Sequence, residues 1–308
     1  PVMAAGSVCR IAVPLFIMDS GATHLQKEEP LRVLYRRRVL RFVLVLVLFS
    51  LVSYIWECRS TGGFSLTVFL RELLLYMHVH TYWFLYQYLA YLICLPFLRH
   101  MARGMTNRQF QYLSLVMLGA KLLELVPLYV FRFPESYSPS FALFSIETAV
   151  FYPLMGYYLG TRLPDAAFTS KKAGIAALFF AGAVCVMVFT QNFYANRFDG
   201  WNVVSGEAYL STLVFIPACA LFYQARLLFL RHCPGRGLTW ALLLFSECSF
   251  GVYLLHHIWM DLTAPVHAFL QAHCGVYAGT LLWVCFLLPA GTAVTWVLKK
   301  LPLLRKLL

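Results

Sequence analysis

Tyr277-Ala-Gly-Thr-Leu-Leu-Trp-Val-Cys-Phe-Leu-Leu-Pro-Ala-Gly-Thr-Ala-Val-Thr-Trp-Val-Leu298 contains no Asp, Glu, Lys or Arg, and Lys299 and Lys300 follow it at once. A hydrocarbon core about 30 Å thick takes about 20 such residues as one helix. Working outward, the chain holds further apolar runs at roughly 2–25, 39–56, 82–99, 110–131, 141–160, 173–191, 205–230 and 238–260. Their interiors are continuous, which argues against amphipathic helices lying on a membrane. They do not alternate in polarity over about ten residues, which argues against a membrane β-barrel. The predicted fold is an all-α polytopic membrane protein with nine transmembrane helices in a single membrane-embedded domain, 1–308.

Composition agrees. Of the 308 residues 61% are hydrophobic and 12% charged, whereas soluble domains carry about 25% charged residues. A soluble domain could not cover its surface with so few polar groups, and disorder needs the opposite composition. The net charge of +12 is spread between spans rather than gathered in a patch, so it reads as an orientation signal and not as a nucleic-acid footprint. No cysteine or histidine spacing suits zinc, and Cys9, Cys94, Cys185, Cys219, Cys248 and Cys285 fall in apolar runs. Cys58 and Cys274 fall in loops on one side and are the pair available for a bridge.

The loops divide sharply by charge. One set holds Lys27, Arg32, Arg36, Arg37, Arg38 and Arg41, then Arg99, Arg103 and Arg108, then Arg162, Lys171 and Lys172, then Arg226, Arg231 and Arg236, and finally the tail lysines and arginine. The other set holds only Arg59, Arg71, Arg132 and Arg197. By the positive-inside rule the first set is cytoplasmic, which puts the C-terminus inside and, over nine crossings, residue 1 outside. A start on the outside without a signal peptide implies one further helix upstream, making ten. The stretch 57–81 contains an apolar run, Phe64 to Tyr76, interrupted by Arg71 and Glu72, which suits a helix along the outer surface.

Polar groups inside spans are costly and therefore candidates for function. Lys121 and Glu124 are three apart and can pair with each other. Glu147, with Tyr152, Tyr157 and Tyr158 beside it, lines one side of its helix as a cavity wall would, or makes an interhelix hydrogen bond. Spacing puts Ser249, Tyr253 and His257 on one stripe with His256 next to Tyr253, all towards the outer half of their span, while Glu247 falls near its middle. His256 is the candidate catalytic residue, and Glu147, Trp83 and Tyr253 are candidates for the acceptor side. Tyr76, Tyr82, Trp83, Tyr86 and Tyr88 equally suit an interfacial aromatic belt. The Arg36 to Arg41 cluster is either a topology anchor or a polyanion site: arginine presents a planar fork to phosphate oxygens, and Arg38 and Arg41 are three apart at a helix start.

Five blocks then carry a resemblance: Arg10-Ile-Ala-Val-Pro-Leu-Phe16 with Ser20-Gly21, Leu34-Tyr-Arg-Arg-Arg-Val-Leu-Arg41, Trp83-Phe-Leu85 before Pro96-Phe-Leu98, Gly156-Tyr-Tyr-Leu-Gly160, and Ser249-Phe-Gly-Val-Tyr-Leu-Leu-His256. In order and spacing they resemble the acyltransferase-3 family, membrane O-acyltransferases of bacterial surface polysaccharides and related acceptors. The resemblance implies a ten-helix bundle whose first helix carries an Arg and a His about ten residues apart, ahead of the residues matched here. No residue in this chain inherits that histidine's role, and residues 1–308 alone are expected to lack transfer. The Arg-x-x-Arg signature maps onto Arg38 and Arg41, which the resemblance associates with the acyl-CoA donor. Asp19 replaces an aliphatic residue and Thr23-His24 an apolar pair, which bears on the packing of the first segment.

The function implied is transfer of an acetyl or similar group from cytoplasmic acyl-CoA, with acetyl-CoA the expected donor, to a hydroxyl of a surface polysaccharide or lipid-linked glycan precursor, in a bacterial inner membrane and without a metal. The rival is a transporter or flippase, since many helices with buried charges also make a carrier. Neither an inverted repeat nor matched Gly/Pro-broken spans support that rival.

Overall fold

The computed structural model describes residue 6 and residues 8–76, 80–126, 150–197, 213–232 and 234–307, and among these there are helices and no strand. In chain order they are α1 (Ala12–His24), α2 (Leu40–Thr61, entered through a turn Leu31–Leu34 and a π-helical turn Tyr35–Val39), α3 (Leu66–Arg71), α4 (Trp83–Gly104) and α5 (Asn107–Val126). After them come α6 (Tyr152–Tyr157, continued by a π-helical turn Tyr158–Arg162), α7 (Ser170–Arg197), α8 (Phe215–Arg231), α9 (Arg236–Cys274), α10 (Val276–Leu298) and α11 (Pro302–Leu307). Backbone groups have no water to bond with in hydrocarbon, so apolar runs become helices that satisfy them internally.

Each apolar run of the sequence is mostly helical where it is described, and among the described residues four helical stretches are long and apolar enough to cross a membrane: Leu31–Arg59, Ser170–Phe189, Arg236–Cys274 and Val276–Leu298. Nine crossings are thus an expectation of the sequence, and four are supported by helix length and composition. Shortness separates some of the rest, since α1 has 13 residues and α8 has 17. The residues around Glu147 and Glu207 lie outside the described residues, as does the side chain of Glu124.

The chain divides into two compact units, one of Pro1–Leu31 with Ala90–Cys233 and the other of Arg32–Leu89 with Pro234–Leu308. In the first, α1 and α6 cross with their backbones in contact. A Cβ added to Gly21 would land on the backbone of Pro153, and one added to Gly156 on the backbone of Met18. Gly160 faces Ala22 in the next turn. Small residues allow this close approach, in which dispersion replaces the hydrophobic drive that is missing between helices in lipid. Two of the sequence blocks, Ser20-Gly21 and Gly156–Gly160, are therefore the two halves of one contact. Asp19 is exposed.

In the second unit α9 and α10 form an antiparallel hairpin turned at Gly275, whose φ of 81° favours glycine. Gly251 meets Thr295, Trp283 donates to Thr263 at 2.9 Å, His267 and Thr280 are 3.0 Å apart, and a Cβ on Gly279 would meet the Leu270 carbonyl. That constant register sets depths. At 1.5 Å per residue α10 is about 34 Å long and α9 about 58 Å, so only the later part of α9 pairs with α10. Lys299 donates to the Glu247 carbonyl at 3.0 Å. Glu247 therefore lies level with the end of α10, and His256 and His257 lie level with Ala290 and Pro289, near the midpoint of α10.

The run after α2 behaves as expected of a short side helix. Gly62 and Gly63, with φ of 75° and 95°, end α2, and the Ser65 hydroxyl caps α3 by accepting from the Val68 N–H. Phe69 and Leu73 bury against Tyr54, while Leu74 and Leu75 remain exposed. Cys58 and Cys274 are both free thiols, so the bridge open to them does not form.

Candidate functional site

Within the second unit, four elements bring polar and aromatic groups together. Tyr82, just before α4, is fully buried, at 1% exposure. Its hydroxyl donates to the Leu254 carbonyl of α9 and lies 3.4 Å from the Ser53 hydroxyl of α2, which itself donates to the Phe49 carbonyl. A buried tyrosine hydroxyl needs such a partner, and this one ties α4 to α9. Tyr82 is accordingly a core residue and not part of an interfacial belt; Tyr88 is buried too, and Tyr86 donates to the Leu73 carbonyl at 2.7 Å.

Tyr253 donates to the Thr81 carbonyl, and the edge of Phe84 meets its ring at 5.8 Å. His256 stacks on Tyr253, with ring centroids 5.6 Å apart and planes 24° apart, and His257 stands edge-on to His256 and to Tyr82. The Nδ1 of His256 is hydrogen-bonded to the Tyr253 carbonyl. A carbonyl only accepts, so Nδ1 carries a proton, and in the neutral ring the lone pair that a general base requires is then on Nε2. Ser249 turns back to the Ser246 carbonyl of its own helix and stays out of this group.

The arginine pair is nearer to this cluster than the sequence reading placed it. Phe42, next to Arg41, stacks on Phe250 with centroids 5.6 Å apart and also packs on Tyr88. Phe250 precedes His256 by six residues, about 9 Å along the axis of α9. Arg38 is half-buried in the π-helical turn, and Arg41 is exposed, its Nε and Nη2 donating to the Leu307 carbonyl at the end of α11. π-Helical turns inside helices often mark functional positions. Trp83 is half-buried and packs edge-on against Phe84, so it joins the cluster through that ring. Glu147 lies outside the described residues. The structure thus brings Tyr253 and His256 into contact, reaches Trp83 through Phe84, and adds Tyr82 and Ser53, which the sequence reading had not put in the site. Their only sequence signal was a polar residue inside or beside an apolar run.

The first unit contributes a separate feature. Arg99 is 7% exposed; its Nε donates to the His24 carbonyl at 3.1 Å and its Nη2 to Glu29 at 3.3 Å. Tyr91 donates to the Ser20 carbonyl at 3.2 Å, so α4 holds α1 at two levels. His24 meets Arg99 through its backbone carbonyl. Among the described residues no group of three or more His, Cys, Asp and Glu could hold a metal ion.

The family model described as Acyltransferase domain, acyltransferase 3, matches residues 2–300. The chain belongs to the acyltransferase-3 family. No curated protein and no solved structure is a match to it.

Proposed function

We propose that the protein is a membrane O-acyltransferase that moves an acetyl or similar group from cytoplasmic acyl-CoA to a hydroxyl of a surface polysaccharide or lipid-linked glycan precursor. The observation that carries the reading is the family match over residues 2–300. In the reaction the acceptor oxygen attacks the thioester carbonyl, a base takes the hydroxyl proton, the C–S bond breaks and the thiolate leaves with a proton returned to it. The resemblance gives the base to a first-helix histidine whose role no residue here inherits; among the residues described here, His256 lines the acceptor side and is the alternative base, with its Nδ1 committed to Tyr253. Stacking on Tyr253 holds the ring in place, and Trp83 and Glu147 are assigned to the acceptor side. Arg38 and Arg41 supply guanidinium groups for the donor's phosphates, Arg41 through the N–H groups that do not face Leu307. This reading asks for no metal.

The test is transfer of labelled acetyl from acetyl-CoA to extracted surface glycan in membranes containing the protein. Residues 1–308 alone are expected to transfer nothing; transfer by them would put the base on His256, and His256→Gln should then lower the rate by at least about 100-fold, the smaller end of what general-base catalysis contributes. Unchanged transfer by that variant would remove His256 from the role and leave the acyltransferase class standing. Absence of acyl-CoA-dependent transfer to any hydroxyl acceptor by the chain with the further upstream helix would overturn the donor and acceptor assigned here.

A further inference from the structure

The first unit contains a cavity of about 580 Å³ where the chain leaving α1 passes α4, lined by Lys27, Glu28, Glu29, Arg99, His100 and Arg103 together with two prolines. Arg99 is fixed by Glu29 and the His24 carbonyl, and Arg103 meets Glu28 at 3.0 Å. Among the described residues Lys27 and His100 bring polar groups to this cavity with no side-chain hydrogen bond or ion pair of their own. Lys27, Arg99 and Arg103 face Glu28 and Glu29, so the lysine and arginines exceed the carboxylates by one. That balance suits a monoanion, and a basic cluster at the end of an apolar helix is where lipid headgroup phosphates are bound.

A second feature of the same helix points to the rest of the ligand. Ile93, Phe97 and Met101 recur every four residues on α4 and are 42%, 72% and 44% exposed. Residues four apart form one stripe, and this stripe runs beside the one carrying Pro96, His100 and Arg103 into the cavity. A polar cavity is therefore continuous with an exposed apolar track leading back along an apolar helix.

We propose that this cavity binds the phosphodiester headgroup of a membrane phospholipid through Lys27, His100 and Arg103, with one acyl chain of the lipid lying along Ile93, Phe97 and Met101. A soluble anion would use the cavity and leave the stripe idle; a neutral lipid would do the reverse. The site is independent of the acyl-transfer reading.

The experiment is native mass spectrometry of the full chain purified in detergent, exposed in turn to phosphatidylglycerol, diacylglycerol with the same chains, and inorganic phosphate. The protein should retain phosphatidylglycerol and neither of the others. Lys27→Glu combined with His100→Gln should lower retention by at least about 5-fold, the weight of one basic residue at a lipid surface, whereas Lys27→Arg should keep it. Phe97→Gln, on a side chain exposed in the structure, should lower retention as well and stands in if the double variant aggregates. Equal retention of phosphatidylglycerol by the variant overturns the proposal. So does equal retention of diacylglycerol, which would make the contact purely apolar, and so does binding of inorganic phosphate as tight as that of the lipid, which would make it a soluble-anion site.

Discussion

Arg99 in the first unit and Arg41 in the second perform the same act in different surroundings. Each guanidinium donates to the carbonyl of a helix's last residue, Arg99 to His24 at the end of α1 and Arg41, through two nitrogens, to Leu307 at the end of α11. Such carbonyls have no partner within their own helix and carry the negative end of the helix dipole. Arg99 is buried and meets Glu29, whose side chain is 16% exposed, whereas Arg41 is exposed. Burial, and not the count of hydrogen bonds, should decide which arginine the fold depends on. In water a lost partner is replaced by solvent; in the interior no solvent takes the place of the guanidinium.

Arg99→Ala tests that contrast most severely. Breaking a buried pair from one side costs about 3–5 kcal/mol, and unfolding in mixed micelles should show a loss of that order, with α1 released first. Glu29→Gln keeps an acceptor for Arg99 but removes the charge, and should cost about 1–2 kcal/mol in the same titration. Arg41→Ala should cost less than about 1 kcal/mol, as exposed interactions do, and be felt mainly as fraying of α11. Should Arg41→Ala prove as damaging as Arg99→Ala, burial would not be what separates them. If it leaves stability intact but raises the acyl-CoA concentration needed for transfer, the exposed arginine is kept for a ligand rather than for the fold.

The two arginines also show where sequence reading reaches its limit. Arg41 belongs to the densest charge cluster in the chain and drew attention for that reason, while Arg99 was one basic residue among several at the end of a span. Nothing local distinguishes a guanidinium that meets a helix end in the interior from one that does so at the surface. Tyr82 is a similar case: an aromatic at the end of a span suits a belt, and only the approach of α2 and α9 turns it into a buried link. The histidine pair shows the same limit in register, because the apolar character of α9 extends over most of 39 residues and offers no mark of which part pairs with α10.

What the sequence determined by itself is what depends on neighbours along the chain: continuous apolar runs that must be helical in lipid, their order, and the blocks that place the chain in the acyltransferase-3 family. Glycines and polar residues at particular spacings could be flagged in the same way. Their partners were decided only by the tertiary structure: Gly21 with Pro153, Gly156 with Met18, Tyr82 with Leu254, and Arg99 with His24 and Glu29. The physical reason is that helix formation is a contest between backbone and solvent settled within a few residues, whereas the depth and register of a helix pair depend on shape complementarity between residues far apart in the chain.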